Sequence, residues 1–196
     1  MMLSGKCCGM ALLCLALAGC SATPSISYYA LELPGAASPV RQTAQGPVVR
    51  IDRLQLPEYL NDQGIAFQQD DVQVVNATQA RWAEALDRQL GRSLIRQLST
   101  AWPDVQVMDT SAVASADSWS LSMEVSAFQG RADGKAVVEG RWVLQRGAQT
   151  YSNVFAEQVA LQDDGYPALV RALRQGWQQA VTSVAGQVRP LLVTTR

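Results

Sequence analysis

WSLSMEVSAFQGRADGKAVVEGRWVLQ, residues 119–145, is the stretch on which the fold turns. Trp119, Leu121, Met123 and Val125 alternate with Ser118, Ser120, Ser122, Glu124 and Ser126. This period of two puts apolar groups on one face of a strand and polar groups on the other. Asp133-Gly134 is a tight-turn signal, and Ala136 to Gln145 returns with Val138, Gly140, Trp142 and Leu144 on one face. Gly147 marks a second turn before Tyr151 to Leu161, where Tyr151, Asn153, Phe155, Glu157, Val159 and Leu161 share a parity. Together the three segments predict an antiparallel meander with one face to be covered.

The cover is predicted on either side of it. Downstream, the Asp163-Asp164-Gly165 turn and Pro167 open a helix predicted over Pro167 to Arg189 and ended by Pro190. Leu169, Leu173, Trp177, Ala180, Val181, Val184 and Val188 form its apolar stripe, and Leu191 to Val193 is left as a short strand or a tail. Upstream, Trp82, Leu86, Leu90, Leu94 and Leu98 recur every four residues. They predict a helix over Gln79 to Ala101, capped by Asn76 or Thr78 and stopped by Pro103, with Glu84 and Arg88 paired on its polar face.

Short strands are predicted for Tyr28 to Leu33 (YYALEL), Val48 to Leu56 and Asp104 to Met108. Gly64 to Gln69 and Asp71 to Asn76 read as a hairpin around Gln69-Asp70, with Ile65, Phe67, Val72 and Val74 packing inward. Strands then helix, twice over, predict an α+β fold: a mixed, largely antiparallel sheet with two long helices packed on one face.

Composition narrows the chemistry. Sixteen basic and seventeen acidic residues are spread along the chain, without the clustered positive charge that nucleic acid requires. There is no histidine, and all four cysteines (Cys7, Cys8, Cys14, Cys20) lie in the first twenty residues. A mature domain therefore lacks the usual zinc ligands and general bases, and no metal or cofactor is expected. Asp70-Asp71 and Asp163-Asp164 are the adjacent acidic pairs and read as solvated turns, leaving a carboxylate-dependent hydrolase as a rival to a non-enzymatic protein.

The N-terminus carries an address. Lys6 supplies a charged start, and residues 9–18 form a ten-residue apolar run, too short to span a bilayer. Leu17-Ala18-Gly19-Cys20 then reads as a lipobox, whose small residues admit the peptidase and whose thiol takes the lipid. Residues 1–19 are expected to leave as a signal peptide, with Cys20 becoming an N-palmitoyl, S-diacylglycerol cysteine. Residues 20–27 would form a lipidated tether, reaching roughly 20 Å when extended, and residues 28–193 a single domain. Ser21, in place of an aspartate, favours sorting to the outer membrane.

The lipobox, YYALEL, LPEYLNDQGIAFQ, RWAEALDRQL, AFQGRADGKAVVEGRWVL and DDGYPALVRAL occur in this order over nearly the whole chain. In this the chain resembles the PqiC (YmbA) family of ABC-type transport auxiliary lipoproteins. The resemblance implies an outer-membrane lipoprotein, facing the periplasm, in an intermembrane phospholipid transport system that supports envelope integrity. Its implied partners are an MCE-domain tunnel protein and that protein's inner-membrane component, with outer-membrane lipid held through the anchor. Cyclic symmetry of a tunnel would suit a homo-oligomeric ring of adaptors. The rival within this class is a scaffold lipoprotein that never binds lipid. Family members often carry a proline inside the segment matching RWAEALD, where this chain has Ala85.

Five residues are candidates for partner or lipid contact. Tyr59 and Leu60 either present apolar surface or pin a strand end to the core. Trp82 either meets a partner or fills the core. Arg131 and Lys135, flanking the Asp133-Gly134 turn, either bind headgroups or a neighbour or stay solvated.

Overall fold

The computed structural model describes residues 25–32, 46–109 and 117–193. In chain order its elements are β1 (Ser27–Tyr29), β2 (Val48–Gln55), a 3-10 turn (Glu58–Leu60), β3 (Gly64–Gln68), β4 (Val74–Trp82) and α1 (Leu86–Ala101). Then come β5 (Gln106–Met108), β6 (Trp119–Arg131), β7 (Lys135–Arg146), β8 (Gln149–Ala160) and α2 (Tyr166–Val193). The lipobox Leu17, Ala18, Gly19 and Cys20, the signal peptide, most of the tether and most of the 35–46 loop lie outside the described residues.

β6, β7 and β8 form the expected meander, and its two ladders are the longest in the sheet. The other edge of β6 is divided. Its first half pairs in parallel with β2, which leads on to β5, and its last residues pair in parallel with β3, which leads on to β4 and β1. The sheet thus forks beyond β6, and its parallel pairings are confined to the fork.

Both helices cover one face. Leu121, Met123, Val125, Val138 and Leu144 of the sheet are buried, as are Leu90, Leu94 and Leu98 of α1 and Leu173, Trp177, Val184 and Val188 of α2, in one contiguous core. Phe155 meets Trp177 edge-on, with ring centroids 6.4 Å apart, a favourable aromatic geometry. The chain after β1 is tied to α1, where the Leu31 N–H donates to Gln89 Oε1 at 2.9 Å and Glu32 pairs with Arg96.

Several boundaries differ from expectation, each for a local reason. The predicted helix start is strand: Gln79 to Trp82 end β4, whose backbone is paired on both sides, to β1 and β3. Trp82 fits the four-residue repeat only by coincidence, since it packs as a strand residue on Phe128. The helix begins at Leu86 after Ala85, which makes no side-chain cap. Asn76 is engaged elsewhere, donating to the Tyr59 carbonyl at 2.8 Å, and Glu84 pairs with Arg92 rather than Arg88.

In the β3–β4 hairpin, Asp70 Oδ1 accepts from the Val72 and Gln73 amides and turns the chain early. Val72 is left 87% exposed and Val74 39%, whereas Ile65 is buried. Pro190 does not end α2, which runs to Val193 because Leu192 still has core to bury. A register shift between Ile51 and Arg53 accounts for the imperfect alternation of β2.

Candidate interaction surface

Val138 and Trp142 of β7 face α2: Trp142 Nε1–H donates to Gln187 Oε1, and a Cβ at Gly176 would lie 2.9 Å from Val138. Alternation then turns Lys135, Val137, Glu139 and Arg141 to the opposite face, away from α2. On β6, Gly130 approaches Leu169 of α2, so Gln129 and Arg131 share the face away from α2. Arg131 stands opposite Lys135 in the ladder, and Gln129 opposite Val137.

The 3-10 turn lies against this face. Tyr59 Oη–H donates to Gln129 Oε1 at 2.7 Å, and Gln129 Nε2 donates to Gln68 Oε1 at 3.3 Å. Gln68 Nε2 in turn donates to the Asp70 carbonyl at 2.8 Å. Burial, with a smaller push from the Glu139 carboxylate, raises the Tyr59 pKa above its ordinary value, so the phenol stays a neutral donor across the physiological range.

Beside this chain of amides, Arg131 forks onto Asp133 and reaches Gln158 Oε1 at 3.3 Å, while Lys135 Nζ lies 3.5 Å from Asp133. The Arg131 guanidinium, with help from Lys135, pulls the Asp133 carboxyl down to about 2.

Three of the five candidates, Tyr59, Arg131 and Lys135, are therefore brought to one end of one face. Leu60 and Trp82 are not. Each is 2% exposed; Leu60 seals the turn onto the core, and Trp82 fills it against Phe128. Neither offers surface to a partner in this structure. Gln68, Gln129 and Gln158 join the surface without having been singled out, because glutamine carries no signal of its own. Gln129, at 6% exposure, could have been found only from its place two residues before Arg131, past the register shift between Val125 and Ala127.

On this surface Arg131 and Lys135 are paired with Asp133, and Tyr59 and the glutamines beside them supply hydrogen-bond donors and acceptors. Asp70 and Asp163 accept bonds within their own turns. No helix among the described residues is long and apolar enough to cross a membrane.

The chain is 34% identical to the intermembrane transport lipoprotein PqiC of Escherichia coli over 178 residues, 89% of this chain and 93% of that protein. The PqiC of Shigella flexneri matches equally. A crystal structure of an uncharacterized protein, 32% identical, superposes with a TM-score of 0.74 over 84% of this chain and 99% of that one. A Xanthomonas campestris protein, 16% identical, shares the fold with a TM-score of 0.64 over 87% of this chain and 93% of that one. Residues 29–185, which take in the meander, the fork and most of α2, match the ABC-type transport auxiliary lipoprotein components, and it is to that family that the chain belongs.

Proposed function

We propose that this chain is a non-enzymatic periplasmic subunit of an intermembrane lipid transport system, anchored to the outer membrane through lipid on Cys20. Its part is placement: it docks an MCE-domain tunnel protein linked to an inner-membrane component, and so supports envelope integrity. The observation that carries this reading is the 34% identity to the E. coli intermembrane transport lipoprotein, which extends over 93% of that relative. The Leu17-Ala18-Gly19-Cys20 lipobox supports the anchor and Ser21 supports the outer membrane. Tyr59, Arg131 and Lys135 are the residues assigned to partner contact, since they lie together on the side of the sheet away from α2 and are held in place by hydrogen bonds and ion pairs. A ring of copies would match a tunnel of cyclic symmetry.

The test is crosslinking in cells with reagents of several lengths, followed by pull-down of the chain. Recovery of an MCE-domain protein, weakened when Tyr59, Arg131 and Lys135 are replaced together by alanine, is the expected result. Failure to recover such a partner at any crosslinker length overturns the reading.

A further inference from the structure

β8 (Gln149–Ala160) is the outermost strand at one end of the sheet and is paired on one side only, to β7. A bare edge is a template for another chain, and proteins usually blunt it with a lysine, a proline, a bulge or a short strand. β8 is 12 residues long, carries one charge, Glu157, has no proline, and runs against β7 without a register shift. The end strands elsewhere in the sheet, β1 and β5, have three residues each.

The ladder sets which backbone groups of β8 are free. The Leu161 N–H donates to the Gly134 carbonyl at 2.9 Å, and opposite residues of an antiparallel ladder alternate between bonded and unbonded pairs. Odd-numbered residues from Tyr151 to Val159 therefore bond to β7, and even-numbered ones from Thr150 to Ala160 turn N–H and C=O outward. Two of these outward groups are met from within the chain: the Val154 N–H donates to Asn153 Oδ1 at 2.9 Å, and the Ala160 carbonyl accepts from Gln162 Nε2 at 3.4 Å. Those of Thr150, Ser152, Ala156 and Gln158 have no hydrogen-bond partner among the described residues. All four residues are exposed, and Val154 stands 67% exposed in their midst. α2, joined to the edge by Asn153 Nδ2 donating to Gln187 Oε1 at 3.0 Å, has no charged residue between Arg174 and Arg189. Protein interfaces are depleted of charge at their centres in the same way.

A row of alternating N–H and C=O groups is matched by another peptide backbone, not by a lipid. Its place in the fold says which peptide. The order β1-β4-β3-β6-β7-β8 puts the edge that follows the tether and the open edge at opposite ends of the sheet, about 24 Å apart at five strand spacings. An anchor ahead of β1 therefore leaves β8 on the far side, where a protein crossing the periplasm meets it. Gln158 Oε1 accepts from Arg131 at 3.3 Å, so the edge is continuous with the surface of Tyr59, Arg131 and Lys135. We propose that an extended segment of the docked partner adds to β8 as a further strand, its backbone bonded to Thr150, Ser152, Ala156 and Gln158 and a small or apolar side chain beside Val154. The identity of the partner rests on the transport reading above; the open edge does not.

The test is amide exchange followed residue by residue on the full chain in lipid nanodiscs. In the chain alone, the amides of Thr150, Ser152, Ala156 and Gln158 should exchange fast while those of Tyr151, Phe155 and Glu157 are protected. Adding the MCE-domain protein recovered by pull-down should slow the first set by roughly five-fold or more, the factor of one ordinary hydrogen bond. Ala156→Pro removes an outward N–H without taking a bond from β7. It should melt near the parent and weaken binding of that protein by about ten-fold, the loss of one to two such bonds. If it melts early, Ala156→Lys decides, because the new ammonium faces Glu139 across the ladder and a lysine on an edge obstructs strand addition.

Binding that leaves the four amides unprotected and survives the substitutions overturns the added strand and leaves the transport reading standing. Protection that appears in the chain alone and grows with its concentration assigns the edge to a second copy and overturns the proposal as well. A folded chain that does not bind the MCE-domain protein at all takes down the docking reading and the proposal together.

Discussion

Asp133 sits between Arg131 and Lys135 at the tip of the β6–β7 turn, and its carboxyl titrates at about 2 instead of near 4. A carboxyl whose pKa is lower folded than unfolded contributes stability that is complete above the unfolded value and lost as pH falls through the folded one. An NMR titration of the folded chain should therefore give an Asp133 midpoint well below that of an exposed aspartate, and Arg131→Gln should bring it back toward 4. A midpoint already near 4 would mean that the fork onto Arg131 does not persist in solution. The glycines of the same meander separate two kinds of cost. Gly134 has φ +77° with open space around it, so Gly134→Ala should lose only about 1 kcal/mol, the strain of a left-handed residue. At Gly140 a Cβ would lie 2.2 Å from the Glu124 carbonyl and 2.5 Å from the Phe155 ring. Gly140→Ala should accordingly lose about 2–3 kcal/mol by overpacking. Urea midpoints decide between them, and a larger loss at Gly134 would contradict the packing described here. The Asp-Gly turn was legible from the residues alone, whereas the need for glycine at 140 was not, because it comes from a ring fifteen positions away and a carbonyl on another strand.

At the scale of elements, α1 is the case where pattern and structure part. Leu86, Leu90, Leu94 and Leu98 marked its buried stripe correctly, but Trp82 extended the same repeat into β4. A helix and a strand can both place a residue inward at a given position, and what assigned residues 79–82 to the sheet was pairing to β1 and β3, partners distant in sequence or on another edge. The true start leaves a weakness. Ala85 at the N-cap has extended backbone (φ −49°, ψ 130°) and supplies no side-chain oxygen to the free helical amides. Ala85→Asp should add a cap worth about 1 kcal/mol, raising the melting temperature by roughly 2–4 °C for a chain of this size. Calorimetry that finds no rise, or a fall, would place the helix start elsewhere.

For the whole molecule, the proposed lipid on Cys20 predicts retention at the membrane through the anchor; α2, although 28 residues long, is an amphipathic core helix, and no described helix is long and apolar enough to span a bilayer. Cys20→Ser should move the chain from the membrane fraction to the soluble periplasmic fraction while leaving the domain folded. Persistence of the variant in membranes would assign retention to protein contacts instead. How much of the molecule was legible follows from the range of the forces involved. The meander and the two apolar stripes are local patterns of residue type and period, and the amino-acid order by itself determined them, together with the α+β class and the family resemblance. Tertiary structure alone decided the fork of the sheet beyond β6, the burial of Leu60 and Trp82, and the gathering of Tyr59, Gln129 and Arg131 on one face. These depend on which strands share a ladder and which side of a helix is covered, and such contacts join residues tens of positions apart that no local period records.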